Sequence, residues 1–265
     1  MIIGHKKQKE NIEKIFDLYG NGGFLLYGPE GVGKFSLLKE LTENKEAEND
    51  VIIVEAPKKS ISKNTSEVLR NLALFNSSKN RIIIINDAHF LTSEAQNVLL
   101  KILEEIPSKT FFFFITHRPH KILATIRSRL QPVKFGFVED DEIKKLLKEQ
   151  GSDKDSKVVC EAFSGQTGLI IKAISEKIKF NLVSKFIKEQ SSLQKMFLSD
   201  KITENMELDE FLKYLIVFER INLRENSKEA LLRIKNLLAL YFDNEYAAPP
   251  LSKNLHIKNI CVNYY

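Results

Sequence analysis

An α/β domain built on a parallel sheet and followed by helical segments is what this sequence predicts, on three observations. The stretch FLLYGPEGVGKFS, Phe24 to Ser36, reads as a buried strand that opens through a glycine-rich loop into a helix. Strand and helix signals then alternate as far as residue 137, and they include RIIIIN from Arg81 to Asn86. A continuous isoleucine run of that kind is what a strand buried on both faces of a parallel sheet requires. Beyond Val138 only helical periodicities remain. The alternation implies a doubly wound α/β domain over 1–137, and the change of pattern implies two helical domains, 138–176 and 177–265.

In order, Ile12, Ile15 and Phe16 recur at helical spacing among charges, so Gly4 to Leu18 is an amphipathic helix laid on the domain. After the glycine-rich loop, Leu37, Leu38 and Leu41 carry a helix to about Asn44, and VIIVE, Val51 to Glu55, is a β-branched strand. A helix is expected from Thr65 to Phe75, before the isoleucine strand. From Ser93 the apolar stripe Ala95, Val98, Leu99, Ile102 and Leu103 predicts a helix that Pro107 stops. TFFFFIT, Thr110 to Thr116, is the fourth strand, Lys121 to Arg129 a short helix, and Pro132 to Phe137 the last strand. Three short helices follow, separated by Gly151 and Gly165. The third domain rests on two stripes: Leu208, Phe211, Leu212, Leu215 and Ile216, then Leu231, Ile234, Leu238, Tyr241 and Phe242. Such stripes form a helical core, an association surface, or both.

The loop satisfies G-x-x-x-x-G-K through Gly28, Gly33 and Lys34, with Gly31 between. Glycines let backbone N–H groups close on phosphate oxygens, while the lysine charge and the helix N-terminus face the same anions. The next position calls for a Ser or Thr hydroxyl to ligate Mg²⁺, and this chain has Phe35 there. Ser36 comes one place late, on a helix face turned by about 100°. The isoleucine strand ends in Asn86 and Asp87, where a nucleotide hydrolase needs a metal-holding carboxylate and a second acid to polarise water. With both metal positions altered, hydrolysis is expected to be weak or absent and no metal ligand set is expected. Asp87 is open to two readings, a shortened base or a surface or helix-capping aspartate. Thr116, at the end of the fourth strand, either senses a terminal phosphate or simply ends the strand. Ser128 and Arg129 put a guanidinium at the domain edge, where it either reaches an anion on a neighbour or is merely solvated.

Composition narrows the class. With 265 residues, 43% of them hydrophobic, the chain is long enough for two or three packed domains. The net charge of +5 permits contact with nucleic acid without a polybasic tail. Cys160 and Cys261 lack C-x-x-C partners, which argues against a disulfide framework or a zinc module. The N-terminal MIIGHKKQKEN lacks an apolar signal core and no apolar run reaches bilayer length, so a cytoplasmic protein without a membrane partner is expected.

The assembled segments IIGHKKQKE, LLYGPEGVGK, IIIINDAHFLT, EAQNVLLKILEEIP, FFFFIT and ATIRSRLQPVKF resemble, in order, the bacterial clamp-loader AAA+ proteins of the DNA polymerase III holoenzyme, and most of all their delta-prime branch. The resemblance covers most of 1–176. It implies a P-loop AAA+ sheet domain over 1–137, a helical lid over 138–176 and a helical collar over 177–265. It further implies that Arg129, beside Ser128, acts in trans on ATP held by the adjacent subunit, although Leu130 replaces the family's cysteine. Motor subunits carry Lys-Ser or Lys-Thr, Asp-Glu, and an arginine after the second domain's glycine pair. Here those places hold Lys34-Phe35, Asn86-Asp87 and Leu169. The family's four-cysteine module is missing, so no zinc is expected. Gly28, Gly31, Gly33, Lys34, Ser36, Asp87 and Thr116 are then the residues of a degenerate nucleotide site with at most weak affinity for ATP or ADP. The implied partners are the delta and gamma/tau subunits, the sliding clamp and primer-template DNA. The rival readings are an active gamma/tau-like ATPase motor subunit and an AAA+ DNA repair or recombination factor.

Overall fold

The computed structural model describes residues 4–43, 49–55, 67, 71, 79–139, 142–143, 163, 165–189, 191–222 and 227–246. The chain forms two compact units, one of residues 1–146 with 165–168 and one of 147–164 with 169–265. The helix expected over 65–75 and most of the lid expected over 138–176 lie outside the described residues, as do Cys160 and Cys261.

In the first unit, helix α1 (Lys6–Leu18) precedes strand β1 (Gly22–Tyr27), helix α2 (Lys34–Glu43), strands β2 (Asn49–Glu55) and β3 (Asn80–Asn86), helix α3 (Ser93–Glu104), strand β4 (Thr110–Thr116), a single turn α4 (Ala124–Arg127) and strand β5 (Gln131–Lys134). The strands form one sheet in the order β2-β3-β4-β1-β5, with every pairing parallel. Alternate side chains of a strand point to opposite faces, and the isoleucines divide accordingly. Ile82 and Ile84 join Phe24, Leu26, Phe111 and Phe113 beneath α1 and α2, whereas Ile83 and Ile85 join Leu25, Phe112 and Phe114 beneath α3 and α4. Both faces are therefore covered, which is why β3 and β4 are apolar at every central position. Arg81, nearly buried, pairs with its register neighbour Asp50 at 3.2 Å and pins the outer strand.

Three local expectations change. The stripe of α3 buries Gln96 where Val98 was expected, and Val98 is only half-buried. The helix expected over 121–129 is broken into a 3-10 turn at Pro119–Lys121 and the short α4, with Ile122 and Leu123 extended between them. Gln96 causes both effects. Its Nε2 donates to the carbonyls of Leu91 and Lys121, each at 3.2 Å, and its Oε1 accepts the N–H of Leu123 at 2.7 Å, replacing a helical bond with a tertiary one. The last strand ends at Lys134 rather than Phe137, because β1 has no residue beyond Tyr27 to pair with. The final bond of that edge is Phe135 N–H to the Tyr27 carbonyl at 2.8 Å, and the Phe137 side chain is exposed.

Helix α5 (Thr167–Ser175) begins in the first unit and continues into the second. There α6 (Lys177–Lys188), α7 (Ser192–Asn205), α8 (Leu208–Asn222) and α9 (Ser227–Tyr246) follow. α8 packs on α9 and α6, and α6 on α7. Leu208, Phe211, Leu212 and Leu215 are buried as expected. Among the described side chains of α9, Ala230 and Leu237 are buried while Leu231 and Leu238 face outward, one residue out of phase with that part of the expected stripe; the side chains of Tyr241 and Phe242 lie outside the described ones. The Glu219 carboxylate, 2% exposed, takes the Arg233 guanidinium at 3.0 Å and so orients α9 against α8. No helix among the described residues is long and apolar enough to cross a membrane.

Gln96→Leu keeps volume but leaves the Leu91 and Lys121 carbonyls and the Leu123 N–H without their partner. We expect a loss of roughly 2–4 kcal/mol in chemical denaturation; a loss below about 0.5 kcal/mol would mean that water replaces the amide.

Candidate functional site

β1 delivers the chain into the loop at Gly28, whose φ is +149°, and a Cβ there would stand 2.2 Å from the Phe135 carbonyl oxygen. No other residue fits that approach. Gly31 and Gly33, at φ +72° and +98°, supply left-handed steps on either side of Val32 before α2 starts at Lys34. The result is a curved backbone capped by a helix N-terminus, the shape that receives phosphate. The Lys34 ammonium is folded back onto this loop, donating to the carbonyls of Gly28 at 2.9 Å and Pro29 at 2.6 Å. Burial holds its pKa down at about 8, against the opposing pull of the Asp87 and Glu30 carboxylates.

Neither metal position offers a suitable oxygen. Phe35 is half-buried with its ring against the core beneath α1 and α2, and Ser36 is exposed on α2. Asn86 ends β3 with a neutral amide. A catalytic Mg²⁺ needs a hydroxyl and a carboxylate, so the residues present do not fit it.

The segment Gly165–Gly168 is laced onto the same loop. Gln166 Nε2 donates to the Glu30 carbonyl at 2.8 Å and Gly168 N–H to the Gly31 carbonyl at 2.7 Å, while Gly165 accepts the Val138 N–H at 2.9 Å. A Cβ at Gly168 would press to 3.0 Å from the Gly31 oxygen. The GQTG sequence thus serves close backbone contact.

The other candidates sort by strand end. Asp87 opens a turn at φ +50° without capping it through its side chain, and its Oδ1 lies 3.9 Å from His117 Nδ1. Thr116 is fully buried. Its hydroxyl lies 3.2 Å from His89 Nδ1 and accepts the Arg118 N–H at 2.9 Å, so it is engaged within the protein. His89, 6% exposed, has its pKa driven down to about 3 by burial and then by His117, Arg118 and Lys121. Sequence reasoning passed over His89 and His117. The signal available was a histidine two places after Asp87 and another just past the end of the next strand.

Ser128 and Arg129 are held elsewhere. The Ser128 hydroxyl donates to the Thr125 carbonyl at 2.9 Å. Arg129 donates from one guanidinium nitrogen to the same carbonyl at 2.9 Å and from the other to Glu104 Oε1 at 3.0 Å, in a pair open to solvent on both sides. Gln96 fixes the chain just ahead of α4 and so sets where this arginine stands.

Residues 41–139 match the family described as "DNA polymerase III, delta subunit". The DNA polymerase III delta' subunit of Buchnera aphidicola subsp. Baizongia pistaciae is 38% identical over 109 residues, 37% of this chain and 32% of that protein. The chain is thus similar, over 37% of its length, to a DNA polymerase III subunit. The DNA polymerase III gamma/tau subunit of Mycobacterium tuberculosis is 30% identical to this chain over 153 residues, 48% of this chain and 26% of that protein. The chain spans about a quarter to a third of the length of these curated relatives. A solved structure of a DNA polymerase III gamma-subunit-related protein from Thermotoga maritima superposes on 96% of this chain and 97% of its own with a TM-score of 0.63. At 19% identity that likeness establishes the α/β, AAA+-like fold alone.

Lys34 yields a pH test. Its lowered folded pKa means that the unfolded chain binds more protons between about 8 and 10.5, so burying the ammonium costs stability in full below pH 8 and the cost fades as pH rises to 10.5. We expect Lys34→Met to stabilise the isolated protein by up to about 3 kcal/mol at pH 7 and by little at pH 10, read as melting temperature. An equal shift at both values would refute the burial cost.

Proposed function

We propose that this protein is a delta-prime-type subunit of the bacterial replicative clamp loader, hydrolysing no ATP of its own and donating Arg129 in trans to ATP on a neighbouring gamma/tau-type subunit. In that role it supports loading of the sliding clamp onto primer-template DNA in the cytoplasm, beside the delta subunit. One observation carries the reading: Arg129 is kept and solvent-facing in a chain whose own metal positions hold Phe35 and Asn86. An arginine needs no Mg²⁺ site of its own to act across an interface, and its planar fork neutralises charge on a transferring phosphoryl group.

The present partner of Arg129 suits such a role. An exposed ion pair like that with Glu104 is worth about 0–1 kcal/mol, far less than a charge-assisted bidentate contact to phosphate. The guanidinium is therefore positioned by solvent-exposed contacts to Thr125 and Glu104 and leaves Glu104 at small cost. Backbone N–H groups and Lys34 support weak ATP or ADP affinity, since the ammonium must first give up the Gly28 and Pro29 carbonyls. Leu193, Met196 and Phe197 on α7, with Leu231 and Leu232 on α9, lie exposed and support the assignment of 177–265 as an association collar. The gamma/tau motor reading shares the sequence likeness but lacks the oxygens for Mg²⁺. A repair or recombination factor has only the common AAA+ fold in its favour.

Two outcomes are expected. Purified full-length protein turns over ATP at the background rate, and Phe35→Thr with Asn86→Asp tightens Mg-nucleotide binding measured by calorimetry; turnover at motor-subunit rates would overturn the passive reading. In a loader reconstituted with its other subunits, Arg129→Ala lowers total ATPase without abolishing it and lowers clamp loading further, because one site of the ring loses a contribution of roughly 10³ to 10⁵ in rate. Arg129→Lys is nearly as impaired, since it keeps charge but loses the fork. Unchanged loading and hydrolysis by an assembled Arg129→Ala complex would end the trans-acting role.

A further inference from the structure

We infer that Asp87, His89 and His117 form a binding site for a divalent transition-metal ion of the zinc class, separate in chemistry from the Mg²⁺ of a nucleotide site. Strands β3 and β4 are parallel neighbours, so the turns that follow them lie side by side, and these three residues occupy those turns. One ligand atom from each lies within 4.8 Å of the other two. Asp87 Oδ1 and His117 Nδ1 are 3.9 Å apart, and the two imidazole rings meet edge to face with centroids 4.3 Å apart.

His89 supplies the observation that points to a ligand. Its ring is buried, its Nδ1 is held by the Thr116 hydroxyl, and its Nε2 is buried with no hydrogen-bond partner among the described residues. An orphaned polar nitrogen in a protein interior is unfavourable and calls for an explanation. A metal-ligating imidazole has this arrangement, one nitrogen on the ion and the other N–H oriented by an oxygen behind it. Thr116 is that oxygen, and the Arg118 N–H in turn fixes Thr116.

The donor set selects the ion. Two imidazoles with one carboxylate suit zinc, cobalt or nickel, whereas Mg²⁺ prefers an all-oxygen shell. Bonds of 2.0–2.2 Å place tetrahedral ligands roughly 3.3 Å apart, so the observed spacings close by side-chain rotation. Three protein ligands leave a fourth position for water or an anion. Arg118 and Lys121 act on His89 as like charges to the ion, so the site is expected to bind more weakly than closed four-ligand sites. Bound metal would tie the turn after β3 to the turn after β4.

The test uses the full chain, stripped with a chelator, in a Cys160→Ser, Cys261→Ser background that removes thiol binding. Zn²⁺ is titrated against a chromophoric chelator, and Co²⁺ gives the coordination spectrum. We expect one Zn²⁺ per chain, a higher melting temperature with added Zn²⁺, a low-coordinate Co²⁺ spectrum, and no competition from excess Mg²⁺. His117→Asn and Asp87→Asn should each weaken binding at least tenfold while circular dichroism shows the metal-free fold intact. Thr116→Val, a positioning change, should weaken it by roughly 10-fold to 100-fold, and the exposed His120→Asn should do nothing. Absence of binding at micromolar Zn²⁺, binding indifferent to Asp87 and His117, or displacement by Mg²⁺ would each overturn the site. None of these readouts depends on ATP or on other subunits, so the clamp-loader reading and this one fail separately.

Discussion

The parallel pairing of β4 with β1 on one side and β3 on the other is the constraint on which the rest depends. Tyr27 pairs with Thr116, and Ile85 with Phe114, so β1, β3 and β4 end at one edge of the sheet. The glycine loop, the Asp87 turn and the His117 turn are therefore neighbours in space although some sixty residues separate the first from the second. Burial enforces this order. Phe111 to Phe114 and Ile82 to Ile85 are closed off from water on both faces, so a slip of one residue would exchange the two cores, each shaped to different helices.

At that edge the protein sets a buried ammonium beside half-exposed acidic groups. The Lys34 ammonium is drawn into its own loop and held by carbonyls, with Asp87 and Glu30 keeping it from losing its proton altogether. The same Asp87 faces His117. A carboxylate that serves a lysine on one side and an imidazole on the other is poorly placed to polarise water for hydrolysis. The proposed loss of hydrolysis thus rests on three physical features: an apolar ring at 35, an amide at 86, and an acid at 87 that faces other groups. Meanwhile the glycines keep the loop's shape, because Gly28 must pass under Phe135 and Gly168 must meet Gly31 whether or not anything binds.

Arg129 follows a different logic. Its position is set by the buried amide of Gln96, which ties α3 to the chain ahead of α4, while its charge is balanced only by an exposed glutamate. Firm placement of the backbone with loose retention of the side chain is the combination that the proposed trans-acting role of Arg129 requires. Internal placement thus comes from hydrogen bonds shielded from water, and availability comes from an ion pair that water screens.

Much of this was determined by the sequence alone. Continuous apolar runs named the strands and their parallel class, G-x-x-x-x-G-K named the loop, and Phe35 and Asn86 named its defect, because each depends on residue type at a local spacing. The departures arose where a distant group intervened. Gln96 broke the helix expected over 121–129 through two long-range hydrogen bonds that no periodicity records. On α9 apolar residues occur around much of the helix, so only packing against α8 decided that Ala230 and Leu237 turn inward while Leu231 and Leu238 stay outside. Thr116, legible as a strand end, became a support for a buried histidine. His89 and His117 are twenty-eight positions apart and carry no motif in common. Only the order of strands in the sheet set their rings edge to face, because pairing between strands depends on side-chain burial integrated over the whole domain rather than on any stretch read alone.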